Sequence, residues 1–355
     1  MTVRLLIVNY SIDPNNTIFG HQLEIVEKLC EKFDSITVLS AYGRRSDDIE
    51  YLQDKKFSHF VIGWREGKKV HNFIRSYYIL FKSIFFSKPQ IVFFHMTDTL
   101  AALYAPVFSA LKVPQLLWYA HASNSKSLIF VRWFIKEIVS STPGSFPQND
   151  SNVLYIGQSI NPSLFSFRER CLDDPVDAVY FGRLDPSKHL EKVIKSLLIN
   201  SKSKDLVKTF TIFGSPSNIN AEEYKTSLET QFKDLISNNK LIFRSSIERN
   251  SIPEATKNFN LFVHAFEGSL DKVLLEATLL GIPVITLNQE FMKEVGAWSS
   301  TQSSLEEELL SYFARNIQSR KAEVLSRYRL VAQNHNLDCW IEKLSDELRR
   351  ISGQT

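Results

Sequence analysis

In the stretch Val179-Tyr180-Phe181-Gly182-Arg183-Leu184-Asp185-Pro186-Ser187-Lys188, an apolar run ends at Gly182 and two fixed cations, Arg183 and Lys188, open the segment that follows. Cations at a helix start, with its unpaired backbone N–H groups, can converge on an anion, and a diphosphate suits this spacing. The same two residues also read as ordinary solvated charges. A second stretch runs Phe262-Val263-His264-Ala265-Phe266-Glu267-Gly268-Ser269-Leu270-Asp271-Lys272-Val273-Leu274-Leu275-Glu276-Ala277, then Leu280-Gly281-Ile282-Pro283-Val284-Ile285. There a buried-type strand meets a Gly-Ser loop and a helix from about Leu270, whose backbone donors and dipole favour negative charge. Glu276 falls among apolar residues of that helix and needs partners if it is buried. Ribose hydroxyls would supply them, and so would a nearby Arg or Ser.

The elements that must position these residues alternate. Short apolar, β-branched runs interleave with amphipathic stretches, which argues for βαβ units, parallel sheets and an α/β fold. Strands are expected at Arg4–Asn9, Ser35–Leu39, Ser58–Ile62, Gln90–Phe94, Gln115–Tyr119, Glu137–Ser140 and Val153–Ile156, with helices at His21–Phe33, His71–Phe86 and Thr99–Leu111. A second series comprises Asp177–Phe181, Thr209–Phe213, Lys240–Phe243, Leu261–His264 and Pro283–Thr286, and the tail from Ser303 to Ile351 is helical in pattern. The polar, Pro-containing stretch from Ser159 to Pro175 has the composition of a linker. The expected organisation is a domain at 1–162, a linker at 163–176, a second domain at 177–335, and a helix at 336–355 packing back on the first domain. Two such domains would face each other across a cleft, and open α/β sheets bind ligands at the carboxyl ends of their strands.

Composition bounds the answer. At about 150 residues per domain, 355 residues suggest two domains, and 44% hydrophobic with 23% charged residues excludes disordered and fibrous chains. Cys30, Cys171 and Cys339 are too few and too scattered for a disulfide framework or a closed metal site, which implies a reducing, cytoplasmic setting. Lys82, Lys88 and Lys112 interrupt the longest apolar runs, so no spanning helix is expected. The start reads as a first strand rather than a signal peptide, being short and followed by Asp13, Asn15 and Asn16. Asn9-Tyr10-Ser11-Ile12-Asp13-Pro14 stands where a nicotinamide-binding GxGxxG loop would sit, which disfavours a dehydrogenase. The Asp173, Asp174 and Asp177 cluster precedes a strand without a second ligand group and reads as a solvated linker face, so no metal site is expected.

Taken in order, these motifs resemble the retaining glycosyltransferases of family 4. The matching pieces are Gly-Arg-Leu-x-x-x-Lys at Gly182–Lys188 and Gly-Ser-Leu-Asp-Lys-x-x-Leu-Glu-Ala with Gly-x-Pro-Val-Ile at Gly268–Ile285. Leu117-Trp118-Tyr119-Ala120-His121, Phe19-Gly20-His21-Gln22 and Ile156-Gly157-Gln158-Ser159-Ile160-Asn161 complete the set. The resemblance implies the GT-B fold of two facing Rossmann-like domains, an acceptor domain followed by a nucleotide-sugar donor domain. It implies that Arg183 and Lys188 bind the donor's diphosphate beside Gly182, with Ser269 and the amides near Asp271 and Lys272 adding to the cradle. Glu276 then grips the ribose, His121 faces the transferred sugar, and Gly20 lets the chain approach donor or acceptor closely. No cofactor is implied beyond the nucleotide sugar as substrate, and the acceptor is a glycan or lipid-linked precursor in surface polysaccharide or lipopolysaccharide synthesis. Two positions depart from the pattern. The family's sugar-contacting glutamate falls at Gly268, with Glu267 one place early, and Gly157-Gln158-Ser159-Ile160-Asn161 replaces a Gly-His-Gly-Ile-Asp turn. A non-catalytic nucleotide-sugar-binding protein is the alternative, and a nucleotide-sugar epimerase a weaker one. His121 has its own bland reading, a packed histidine at a strand end.

Between residues 55 and 88, Lys55, Lys56, Arg65, Lys68, Lys69, Arg75, Lys82 and Lys88 face one acid, Glu66, with Phe73, Tyr77, Tyr78, Phe81, Phe85 and Phe86 interleaved. Such a helix can lie on an anionic membrane, giving a peripheral location at the inner face, or it can pack its aromatics into the core and leave the lysines solvated. A net charge of +3 without a recognition motif disfavours nucleic acid as a partner.

Overall fold

The computed structural model describes residues 3–13, 19–43, 57–65, 67–147, 152–200, 202, 204–301 and 304–353. Lys55, Lys56 and Glu66 of the basic stretch, and Pro14, Asn15 and Asn16 after the first strand, lie outside the described residues. The chain divides into two units, Met1–Ser159 with Leu337–Thr355, and Ile160–Asn336.

The first unit is built on strands β1 (Arg4–Asn9), β2 (Ser35–Ser40), β3 (Phe57–Val61), β4 (Ile91–His95), β5 (Gln115–Trp118), β6 (Glu137–Ser140) and β7 (Val153–Tyr155). They form one parallel sheet in the order β3-β2-β1-β4-β5-β6-β7. Because side chains alternate across a strand, Leu5 and Ile7 enter one core layer while Leu6 and Val8 enter the other. Helices α1 (His21–Cys30) and α13 (Leu337–Ile351) cover the first face, where Trp340 packs edge-on against Trp118 at 5.0 Å between ring centres. Helices α2 (Lys69–Ser87), α3 (Asp98–Ala110) and α4 (Lys126–Val131) belong to the other face.

Helix α2 inverts the usual amphipathic arrangement. Its buried positions are Ser76, Leu80, Ser83 and Ser87, whereas Phe73, Ile74, Tyr78, Phe81, Phe85 and Phe86 are exposed. The serines tolerate burial because their hydroxyls donate back to helix carbonyls: Ser76 to Phe73, Ser83 to Leu80 and Ser87 to Ser83, at 2.7 to 2.8 Å. Small side chains seat the helix on the sheet, and the reading that put its aromatics in the core is thereby corrected for all but the half-buried Tyr77.

The second unit contains β8 (Val176–Phe181), β9 (Val207–Phe213), β10 (Leu241–Arg244), β11 (Leu261–His264) and β12 (Val284–Thr286), parallel and ordered β10-β9-β8-β11-β12. Its helices are α5 (Leu190–Ile194), α6 (Ile219–Gln231), α7 (Lys233–Ser237), α8 (Ile252–Ala255), α9 (Lys272–Leu279), α10 (Gln289–Val295), α11 (Leu305–Phe313) and α12 (Ile317–Asn334). In both units the strand order reverses direction beside the first strand, giving switch points at β1/β4 and β8/β11. The strands match expectation closely; the largest departure is β9, which starts at Val207 rather than Thr209 because Val176 pairs with it through a bulge.

The stretch 163–176 is not a free linker. Phe165 and Leu172 are buried in the second unit's core, and buried Arg170 donates to the carbonyls of Leu280, Thr256 and Lys257. Polar composition misled here because guanidinium-to-carbonyl bonds let a charged residue pack inside. Nor is the acidic cluster merely solvated. Arg320 holds Asp174 through both carboxylate oxygens at 2.8 and 3.0 Å, and Thr209 donates to Asp177 at 2.7 Å.

Candidate functional site

The second unit's switch point gathers most of the residues singled out in the sequence. Strand β8 delivers Gly182 there and β11 delivers the loop that follows His264. Gly182 has φ +154°, and a Cβ would stand 2.8 Å from the hydroxyl of Tyr180, which itself donates to the Arg183 carbonyl at 2.9 Å. Glycine is therefore required for this exit from the strand. The side chain of Arg183 points to solvent. Asp185 then caps a short 3₁₀ turn, Pro186–Lys188, accepting from the Ser187 amide at 3.0 Å and its hydroxyl at 2.6 Å. That turn sends Lys188 inward.

Lys188 is buried, with its ammonium 4.0 Å from the centre of the Phe266 ring and 2.5 Å from Asp271 Oδ2. Asp271 precedes α9 and is also 3.3 Å from His264 Nε2. Burial works against its charge, but the Lys188 ammonium and the His264 contact hold the Asp271 carboxyl well below the usual carboxylate range. Burial lowers His264, outweighing the raising effect of Asp271, so the ring is neutral.

The loop between β11 and α9 is clamped by Asn288, a fully buried residue whose amide donates to the carbonyls of Phe266, Gly268 and Ser269 at 3.0 to 3.2 Å. Gly268 is constrained by packing: a Cβ there would meet the Phe266 ring at 2.2 Å. Phe266 thus occupies the space into which a glutamate at 268 would project. The neighbouring Glu267 is exposed and pairs with Lys192 at 3.4 Å, apart from the buried network.

Glu276, buried in α9, accepts from Arg249 Nε at 3.3 Å. Burial raises its carboxyl, against the lowering influence of Arg249 and Lys272. The arginine left open for it in the sequence is thus Arg249. Lys272 is the first residue of α9 and half-buried. Gly20 and His121 lie in the first unit. Gly20 caps α1 with an ordinary φ of −54°, so its backbone does not by itself require glycine. His121 follows β5, is exposed rather than packed in the core, and meets Tyr119 edge-on at 5.5 Å between ring centres.

Arg249, His264 and Asn288 received no role from sequence alone. Arg249 comes from a loop distant in the chain, and only pairing could have exposed it. Asn288 had a local signal, since its Oδ1 caps α10 by accepting from the Phe291 amide at 2.9 Å. Among the described residues no cluster of three or more His, Cys, Asp or Glu is arranged to hold a metal ion, and no helix is long and apolar enough to cross a membrane. A surface hollow of about 440 Å³ lies on the β10 edge, lined by Glu229, Lys233, Ile236 and Phe243 among others, and includes none of the switch-point residues.

Comparison with known proteins adds an independent observation. Residues 165–318 match the family model for glycosyl transferases group 1. That span contains both phosphate-type motifs, Arg249 and Asn288. Across almost the whole chain the fold is similar to Anabaena Alr3699/HepE in complex with UDP (13% identity, 99% of this chain and 100% of that one, TM-score 0.74). It is similar also to a glycosyltransferase from Rickettsia africae ESF-5 (12% identity, 100% of both chains, TM-score 0.74). A third is the sucrose-phosphate synthase of Thermosynechococcus elongatus (13% identity, 99% of this chain and 100% of that one, TM-score 0.73). Comparison with curated proteins gives no match. Together with the two parallel sheets, these likenesses show a GT-B type α/β fold of two Rossmann-like units, whose second unit carries the match to glycosyl transferases group 1.

Proposed function

We propose that this protein is a retaining glycosyltransferase that moves a sugar from a nucleoside-diphosphate sugar to a glycan or lipid-linked precursor in surface polysaccharide or lipopolysaccharide synthesis. The observation that carries the reading is the convergence of inward Lys188, the opening of α9 and buried Glu276 on one switch point, inside the segment that matches glycosyl transferases group 1. A nucleoside diphosphate leaves readily once its developing charge is neutralised, so cations and helix-end amides supply the main chemistry. Lys188 and Arg183 take the diphosphate, Glu276 the ribose and His121 the transferred sugar. Attack on the sugar's front face, with the departing phosphate taking the acceptor's proton, needs no carboxylate pair of the glycosidase kind. The reaction is metal-independent and requires no cofactor.

The exposed aromatic face of α2 supports work at a membrane surface. Helix α2 carries no Asp or Glu, and Lys68, Lys69, Lys82 and Lys88 accompany its outward rings, which complements an anionic lipid surface. The protein is thus a peripheral enzyme of the cytoplasmic face, where a lipid-linked acceptor would be met. A second reading, a nucleotide-sugar-binding protein without turnover, is favoured by Phe266 filling the space beside Gly268.

The test incubates purified protein with a panel of nucleotide sugars and membrane extract, measuring both diphosphate release and labelled glycan. Retention at the anomeric carbon with release of diphosphate is expected. Stabilisation by nucleotides without release would establish the binder instead, and no response to any nucleotide would defeat both.

A further inference from the structure

The cation best placed for a diphosphate is already neutralised. Lys188 donates to Asp271 Oδ2 at 2.5 Å while lying against the face of Phe266. Asp271 is in turn braced from below. Thr286 Oγ1 accepts from the Asn288 backbone N–H at 3.0 Å and keeps its own proton to donate to His264 Nδ1, 3.3 Å away. The ring proton then sits on Nε2 and is donated to Asp271 Oδ2, 3.3 Å away. The opposite tautomer would aim a lone pair at a carboxylate. Thr286, His264, Asp271 and Lys188 therefore form one chain of directed hydrogen bonds, and with a neutral histidine its net charge is zero. The Asp271 side chain is 20% exposed while that of Lys188 is 5% exposed, so the carboxylate is the member of the pair more open to an incoming ligand.

A diphosphate entering this network meets an anion that already holds its cation. Either Lys188 leaves Asp271, whose charge then keeps only His264 as partner, or Lys188 stays and exposed Arg183 supplies the positive charge. Both outcomes weaken the grip on the nucleotide relative to a site with a bare lysine. We propose that Asp271 is an internal counter-anion that competes with the nucleoside diphosphate for Lys188, keeping product affinity low so that the site clears after each transfer. This inference rests on the donor-site reading. It gives the Asp271 side chain a role opposite in sign to that of the neighbouring backbone, since the amides attract the diphosphate and the carboxylate repels it.

The experiment is calorimetric titration of the full chain with uridine, guanosine and adenosine diphosphates, comparing the native protein with Asp271→Asn, Lys188→Ala and the double variant. Asn keeps acceptors for Lys188 and His264 but removes the charge. Asp271→Asn is expected to bind the preferred diphosphate about tenfold or more tightly, because the Lys188 charge is then no longer neutralised and goes to the ligand. The gain should shrink to about threefold or less when Lys188 is also absent, because competition for that cation has gone. Asp271→Glu, which retains the charge, should bind as weakly as the native protein. In turnover assays the Asn variant should show a matching fall in the inhibition constant for the diphosphate. Equal or weaker binding by a folded Asp271→Asn protein overturns the proposal, and Asp271→Ser takes its place if the Asn variant does not fold. If native protein and variants all ignore the three diphosphates, the donor-site reading itself has failed, a result distinct from native binding without a gain.

Discussion

Replacing Phe81, Phe85 and Phe86 of α2 with serine tests the membrane reading in quantitative terms. These side chains are 54%, 83% and 65% exposed, so the folded protein gains little from them. Taking about 200 Å² for each phenylalanine, the three leave about 400 Å² of apolar surface in water. At about 25 cal/mol/Å², full transfer into lipid would be worth about 10 kcal/mol. Rings resting at the headgroup level transfer only part of that area, and one third gives about 3 kcal/mol, or a loss of about 100-fold in partitioning. Co-sedimentation with vesicles of mixed zwitterionic and anionic lipid measures this directly. Lys68, Lys69, Lys82 and Lys88 should add about 1 kcal/mol each, so binding should fall with salt and with loss of the anionic lipid. The triple variant should keep its melting temperature and its nucleotide affinity, because the buried face of α2 is made by Ser76, Leu80, Ser83 and Ser87. Unchanged partitioning of the triple variant, or equal binding to purely zwitterionic vesicles, would refute the reasoning.

Other outcomes follow from the second unit. Lys188→Ala should lower turnover about a hundredfold, whereas Arg183 is exposed and its contact with the diphosphate is screened, so its Ala variant should cost about tenfold, with a stronger salt dependence; steady-state kinetics at two ionic strengths separates them. Glu276→Gln should stabilise the ligand-free protein while weakening nucleotide binding. Its carboxyl is raised by burial, so protonation favours the fold, and stability is lost as pH rises from the ordinary glutamate range through the folded value. Removing about 1 kcal/mol of that burden should raise the melting temperature by about 2 to 4 °C at neutral pH, and a drop instead would show that the Arg249 pair outweighs burial. Asp271 has the opposite sign: its stabilisation is present above the ordinary aspartate range and fades as pH falls toward the depressed folded value, so Asp271→Asn should flatten the acid limb of a melting-temperature profile. Gly281→Ala should destabilise the second unit by about 2 kcal/mol or more in denaturant titration, since φ is +73° and a Cβ would meet the Arg168 carbonyl at 2.3 Å.

The fold was legible because its signals are local and repeated. Runs such as Leu5-Leu6-Ile7-Val8 and Leu261-Phe262-Val263 can be buried on both faces only as inner strands of a parallel sheet, and the amphipathic stretches between them supply the cover. That Gly182 ends a strand, and that Lys188 and Glu276 lie in the segments following β8 and β11, was equally legible, because those segments are set by the same pattern. Where each side chain goes was not. Hydrophobic periodicity does not say that Arg183 faces water while Lys188, five residues on, turns inward; a 3₁₀ turn capped by Asp185 decides it.

Partnerships lay further out of reach. Arg249 with Glu276, Asn288 with the Gly268 loop, and Arg170 with the Leu280 carbonyl join residues brought together only by strand order. Composition suggested a linker where Arg170 and Phe165 in fact pack, and it left two orientations open for α2, which the serines resolved. The sequence by itself determined the alternation of strands and helices and the residue types placed after particular strands, because hydrophobic periodicity is a property of neighbours along the chain. Only the tertiary structure decided which charges neutralise one another and which rings remain in water, because pairing and burial depend on distances between segments that the order of residues does not encode.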